Sequence, residues 1–146
     1  MPFNRILVGV DGSHGGLSAA RLGGEMAEGR DAEVFLVHAV PLPPIVPGVD
    51  QAISDESLNY LEETADSALS AAEHVLAEMN VKGERVIRAG SPAEVILSVA
   101  EDREADIIVV GHRGFGAMKR FILGSASSKL AHHARCALLL APVTED

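Results

Sequence analysis

Ala105-Asp106-Ile107-Ile108-Val109-Val110-Gly111, then His112-Arg113-Gly114-Phe115-Gly116 and, further on, Gly124-Ser125, is the stretch that decides the fold. Ile107 to Val110 is apolar without alternation. Strands covered on both faces read this way, as they do in parallel sheets wrapped by helices. The glycines that follow allow sharp turns and close approach of backbone to a ligand. Ser125 then reads as a helix start, so a buried strand leads through a glycine loop to a helix N-terminus.

On either side of this stretch the same grammar repeats. Strand-like runs occur at Phe3 to Val10, Glu33 to Val40, Glu84 to Arg88, Ala105 to Val110 and Cys136 to Ala141. Four are nearly continuous in Val, Ile and Leu, the pattern of burial on both faces. The third, with Val86 and Ile87 between charged residues, is expected nearer an edge.

Helical spacing separates these runs. Leu17, Ala20, Leu22, Met26 and Ala27 predict a helix over 15–28, with Gly29 as its C-terminal cap. Leu58, Leu61, Ala65, Leu69, Ala72, Leu76 and Met79 predict the longest, over 54–79. Its outer face is acidic, with no Lys or Arg from Asp50 to Asn80, and reads as a solvated surface. A third helix should start with Ser91 as N-cap, Pro92 as its first residue and Glu94 closing a capping box. Val95, Ile96 and Val99 would then face the sheet. The fourth covers 125–133. Strict β-α alternation implies right-handed crossovers and an α/β, doubly wound parallel sheet forming one domain over residues 1–146.

Composition agrees with this class and narrows the function. The 146 residues suffice for a single real core, and 47% are hydrophobic while only 3% are aromatic, so the core is aliphatic. A net charge of −9 argues against nucleic acid and against anionic membranes as partners. No apolar run reaches the length of about 18 residues that spans a bilayer. The lone Cys136 and the absence of a secretion-type leader predict a cytoplasmic protein. Cys136 itself, in an apolar run, reads as a small buried hydrophobe. Pro41 to Pro47 is expected to form a surface loop.

Ligands of open α/β sheets bind outside the carboxyl ends of the strands, where strand order reverses. Three loops leave strand ends here with unusual content: Gly9-Val10-Asp11-Gly12-Ser13, Val40 into Pro41, and Gly111 to Ser125. In the last, Gly111, Gly114 and Gly116 free the backbone, while the helix opening at Gly124-Ser125 favours an anion. Ser125 adds a hydroxyl, and Ser127 and Ser128 follow one turn on. Arg113, Lys119 and Arg120 supply positive charge in an otherwise acidic chain. A plain turn and a plain N-cap would explain each feature singly; together, after a buried strand, they point to phosphate.

Asp11 would repel phosphate. It suits a ribose hydroxyl or a base amine, or else it only caps the next helix with Ser13; the sequence leaves both open. Gly9, Gly12 and Gly15 lack the dinucleotide-binding spacing, and no Gly-Lys-Ser/Thr P-loop occurs. His132 and His133 are neighbours on a helix and point about 100° apart, a poor chelating pair, so no metal site is expected. His14, His38 and His74 read as ordinary, and His112 could meet a ligand through its backbone. No catalytic triad, carboxylate pair or activated cysteine stands out, so no catalytic residue is assigned.

These segments resemble the universal stress protein family. Gly111-x2-Gly114-x9-Gly124-Ser125 is similar to its ATP-binding signature. Val8 to Ser13, Val37 to Val40, Arg88 to Ala93 and Ala105 to Gly111 resemble its strand ends, in order and across essentially the whole chain. The resemblance implies a five-stranded sheet ordered 3-2-1-4-5 and homodimers joined along the fifth strand. It implies that Asp11 and the Val40 backbone contact adenosine. It further implies that Gly111, Arg113, Gly114, Gly124, Ser125, Ala126 and Ser127 hold phosphates, with ATP (or ADP or AMP) as ligand and Mg²⁺ as a companion ion. Two departures stand out: Cys136-Ala137 where many members have Cys-Pro, and Gly16 where many have Ser. The resulting expectation is a nucleotide-binding stress-response regulator without robust catalysis. The alternatives are a slow ATPase or nucleotidyl transferase on the same fold, and a ligand-free dimeric adaptor.

Overall fold

The computed structural model describes residues 3–41, 47–48, 54–112 and 125–142. Strands and helices alternate as β1 (Arg5–Gly9), α1 (His14–Ala27), β2 (Glu33–Val40), α2 (Asp55–Ala77), β3 (Gly83–Ala89), α3 (Pro92–Asp102), β4 (Ile107–Gly111), α4 (Ser125–His133) and β5 (Ala137–Ala141). All strand pairs are parallel, in the order β3-β2-β1-β4-β5. The chain therefore winds outward from β1 through β2 and β3, then returns to β4 on the other side of β1. That reversal between β1 and β4 opens a crevice at the carboxyl edge.

Aliphatic alternation sorts the strand residues onto two faces. Ile6, Val8, Val34, Leu36, Ile107 and Val109 pack with Leu69, Ala72 and Leu76 under α1 and α2. Leu7, Phe35, Val37, Ile108 and Val110 pack with Val95, Ile96, Val99 and Leu130 under α3 and α4. Burying each such Val, Leu or Ile contributes about 1.5–3 kcal/mol, so two aliphatic layers hold the sheet without aromatic stacking. Small residues bring α1 close. A Cβ at Gly23 would stand 2.6 Å from Val8 Cγ2 in the sheet.

The helix ends follow their local chemistry. Ser13 caps α1 by accepting the Gly16 N–H, and Ser54 caps α2 by accepting the Ser57 N–H. Gly29 follows the end of α1 at φ +70, as a C-terminal cap requires. At α3 the expected capping box does not form. Ser91 has the N-cap backbone conformation and Pro92 the first turn, but Ser91 makes no side-chain cap bond. Glu94 instead receives a hydrogen bond from Lys129 Nζ of α4 at 3.3 Å, because the lysine offers a charged partner.

Two further expectations meet the sheet's edges. β3 is an edge strand, as its charge pattern suggested, and Ile87 is 49% exposed there. β5 was expected to be covered on both faces, yet Leu138, Leu139 and Leu140 are only half-buried because β5 forms the opposite edge. The acidic face of α2 is partly engaged. Arg85 of β3 reaches Asp66 at 2.8 Å and Glu73 at 2.5 Å, and hydrogen bonds from Glu73 and then Asp66 hold its pKa above the usual arginine value. All three side chains are partly solvated, so the pairs stabilise by at most about 1 kcal/mol. Residues 42–46 of the proline-rich stretch lie outside the described residues.

Candidate functional site

A cavity of about 530 Å³ opens at the carboxyl ends of β1, β2 and β4. Its apolar lining includes Val10, Val37, Val40, Ile96, Val110 and Leu130, and its polar lining Asp11, Ser13, His38, Thr64, Ser125 and Ser127. A larger depression of about 660 Å³ lies at the opposite edge, among Arg5, Glu33, Glu84 and Arg103. Its charges answer one another, Arg5 with Glu33 at 3.7 Å and Arg103 with Glu84 at 3.2 Å. The carboxyl-edge cavity is the better site, since it lies at the topological reversal and couples an apolar floor to convergent polar groups.

The sharp turn after β1 builds one wall. Gly12 takes φ +86, a backbone state that side chains disfavour. This turn lets Asp11 Oδ1 accept the Ser13 N–H at 2.9 Å and also the Ser13 hydroxyl. Ser13 Oγ accepts the Gly16 N–H at 3.3 Å, closing the start of α1. A Cβ at Gly16 would lie 3.1 Å from Asp11 Oδ1, so glycine there gives the carboxylate room. Among the described residues, Asp11 Oδ2 has no hydrogen-bond partner. Asp11 thus shapes its own turn with one oxygen and lines the cavity wall.

The end of β4 forms the opposite wall. Gly111 is fixed by packing: a Cβ there would fall 2.6 Å from the Cα and carbonyl carbon of Gly15. Ser127, 5% exposed, donates from Oγ to the Gly111 carbonyl at 3.2 Å and so ties α4 to β4. Ser125 and Ala126 open α4 on the cavity, where the first N–H groups of a helix lack intrahelical partners. The His112 N–H is spent on the Ala141 carbonyl at 2.8 Å, which removes it as a donor to a ligand. Arg113, Gly114 and Gly124, with Lys119 and Arg120, lie outside the described residues.

Between these walls Val40 is half-buried on the cavity, and its carbonyl accepts the Gly90 N–H at 2.9 Å. The structure thus gathers Asp11, Val40, Gly111, Ser125, Ala126 and Ser127 around one space. From β2 to β4 is two strand spacings, about 10 Å. That length accommodates a ligand with one end on β2 and another at the start of α4.

Sequence reasoning missed two contributors. His38 is 6% exposed and lines the cavity, with Nδ1 2.8 Å from the Val10 carbonyl. A histidine two residues before the end of a buried strand was the available signal. Tyr60, Leu61 and Thr64 of α2 also line the cavity. No local pattern marks them, because only the docking of α2 against the sheet brings them there. Cys136 stands apart, packed against the α3/α4 layer, and burial pushes its thiol pKa up. It is a packing residue with little thiolate character.

The sequence pattern described as the universal stress protein family matches residues 2–142. The chain is 32% identical over 139 residues to universal stress protein MJ0531 of Methanocaldococcus jannaschii, covering 94% of this chain and 81% of that one. It is 35% identical over 143 residues to a Thermus aquaticus universal stress protein encoded 3′ of a QAH/OAS sulfhydrylase, covering 94% and 98%. Among solved structures, hypothetical protein MJ0577 superposes with TM-score 0.81 at 23% identity over 100% of both chains. A universal stress protein in complex with cAMP gives 0.76 at 20% identity, covering 99% of this chain and 100% of that one. One from Archaeoglobus fulgidus in complex with dAMP gives 0.68 at 24%, covering 97% and 99%. The solved structures share the five-stranded architecture, and the match along nearly the whole sequence decides the rest: the chain belongs to the universal stress protein family.

Proposed function

We propose that the protein binds an adenine nucleotide, ATP foremost, and acts as a nucleotide-binding stress-response regulator without robust catalysis. The observation that carries this is the cavity itself, where Asp11 and Val40 stand at one end and Gly111, Ser125, Ala126 and Ser127 at the other. The polar groups fit the two halves of a nucleotide. Asp11 Oδ2 is an acceptor for ribose hydroxyls, and the start of α4 is a donor set for phosphate. Arg113, Gly114 and Gly124 would complete the phosphate end. A Mg²⁺ ion held with the phosphates would add charge neutralisation there. The relatives solved with cAMP and dAMP support an adenine base.

No residue is assigned to orient a nucleophile, and the one carboxylate lining the described cavity is partly spent on Ser13. We also read the half-buried apolar edge of β5 as the seam of a homodimer, and the single unpaired cysteine as that of a cytoplasmic protein.

The test is to denature the purified protein, analyse the released small molecules for nucleotide, and titrate the apoprotein with ATP, ADP and AMP by calorimetry. Binding of ATP that weakens at least tenfold in an Arg113→Ala, Ser125→Ala double variant is the expected result. No heat with any of the three at millimolar concentration sinks the reading.

A further inference from the structure

The outer edge of β3, away from the cavity, carries a pattern that ligand binding does not use. Among the described residues no strand pairs with β3 beyond β2, and Glu84, Arg85, Ile87 and Ala89 are exposed. Ile87, a large apolar side chain near the middle of the strand, is 49% exposed.

The backbone direction at this edge follows from the ladder. Gly90 donates its N–H to the Val40 carbonyl at 2.9 Å, and Arg88 stands beside Ala39 in the parallel register. Successive residues of a strand turn their N–H and C=O groups to opposite sides. Glu84, Val86 and Arg88 therefore point theirs at β2, as Gly90 does. Gly83, Arg85, Ile87 and Ala89 aim theirs at the open edge. Such a row of unpaired groups is a template for another strand.

The side chains decide which strand. Charges usually guard an edge against pairing, yet here they alternate in a self-matching order. Let two copies pair antiparallel with Val86 on the two-fold axis. Glu84 then stands opposite the partner's Arg88, and the symmetry makes this contact twice. Arg85 stands opposite the partner's Ile87, where its methylene stem covers that exposed side chain. Gly83 meets the partner's Ala89, and both are small enough for close approach. The odd-numbered pairs exchange backbone hydrogen bonds. The even-numbered pairs take the closer positions, about 4.5 Å between Cα atoms, where side chains interact most strongly. Moving the axis by one residue destroys the match. Centred on Arg85, the pairing sets two arginines against each other; centred on Ile87, it sets Arg88 against Val86. Within one copy Arg103 already reaches Glu84 at 3.2 Å and Arg88 reaches Asp102 at 2.7 Å. The Val86-centred pairing extends these into a row of alternating charge on the α3 side of the sheet.

We propose that the β3 edge is an interface between two copies of this chain, paired antiparallel about Val86, with Glu84 and Arg88 setting the register. Two seven-residue strands make a small contact, so the association is weak, with a Kd of about 0.1–1 mM. It is separate from the β5 seam and independent of the nucleotide reading. Because β3 and β5 are opposite edges, the two contacts together would join dimers into larger assemblies as concentration rises.

The experiment starts from Leu138→Lys, which blocks the β5 seam and leaves β3 untouched. Sedimentation equilibrium from about 10 µM to about 2 mM should show monomer passing to dimer. Glu84→Arg or Arg88→Glu, added singly, sets like charges opposite each other and should weaken the association about tenfold. The two together restore opposite charges and should return it to within about threefold of the parent. A folding defect, or simple loss of the native charges, would leave the double variant as weak as the singles. Val86→Cys in a Cys136→Ala background reads the register independently of charge. Its thiols meet at the two-fold axis within disulfide reach and should cross-link under oxidised glutathione, whereas Ile87→Cys should not.

A Leu138→Lys chain that stays monomeric over the whole range overturns the proposal and leaves the edge to a strand of another protein. Association that Glu84→Arg leaves unchanged also overturns it, as does a double variant no tighter than the singles. Cross-linking of Ile87→Cys in preference to Val86→Cys does the same.

Discussion

Asp11 holds its own turn through Oδ1, which takes the Ser13 N–H and hydroxyl, while Oδ2 stays uncommitted among the described residues. The two readings of this residue, cap and ligand contact, are therefore compatible at different atoms. Asn at this position keeps an acceptor for Ser13 but loses the charged second oxygen. Asp11→Asn should leave the unfolding free energy from urea titration within about 0.5 kcal/mol of wild type. It should weaken ATP by about tenfold or more, since hydrogen bonds to charged groups contribute about 1.5–3 kcal/mol. Unchanged ATP affinity by calorimetry would reduce Asp11 to a cap. His38, also on the cavity lining, is likewise held to the fold, its Nδ1 2.8 Å from the Val10 carbonyl.

β5 shows the same logic at the scale of an element. Its sequence is as apolar as that of β4, yet Leu138, Leu139 and Leu140 are only half-buried while Ile107 to Val110 are buried. An apolar edge strand of this kind invites pairing with another chain. The wild type should therefore sediment as a dimer at micromolar concentration, and Leu138→Lys should sediment as a monomer with an unchanged far-ultraviolet spectrum. A monomeric wild type would remove the dimer seam from the proposed function. α2 illustrates how an element acquires a role that its own pattern does not announce. Its acidic surface anchors Arg85, while its first turns bring Tyr60, Leu61 and Thr64 to the cavity.

For the whole molecule, the site and the fold are coupled because the cavity walls are strand ends and helix starts. A ligand that binds only the folded state stabilises it by about 2.7 kcal/mol at one hundred times its Kd. For a chain of this size that corresponds to a rise in Tm of roughly 5–10 °C, at about 2–4 °C per kcal/mol. Differential scanning calorimetry with ATP at that excess should show it. The absence of a shift despite calorimetric binding would mean that the unfolded chain binds equally well, and with it that the cavity is not the binding site.

The division between what the chain encodes locally and what folding decides can be drawn residue by residue. Continuous aliphatic runs, helical spacing and glycine caps determined the five strands and four helices seen among the described residues and pointed to the carboxyl edge, where the cavity lies, because each is a short-range consequence of backbone and side-chain chemistry. The periodicity also placed Val95, Ile96 and Val99 against the sheet, where they are buried. Only the tertiary structure decided that β5 is half-open, since strand burial depends on what lies beside an edge. It alone turned Glu94 away from the Ser91 cap towards Lys129, because that lysine arrives from a helix some 35 residues away. And it alone moved His38 from a histidine read as ordinary to the wall of a cavity. The carbonyl that fixes its tautomer belongs to Val10, 28 residues earlier in the chain and beyond the reach of any local pattern.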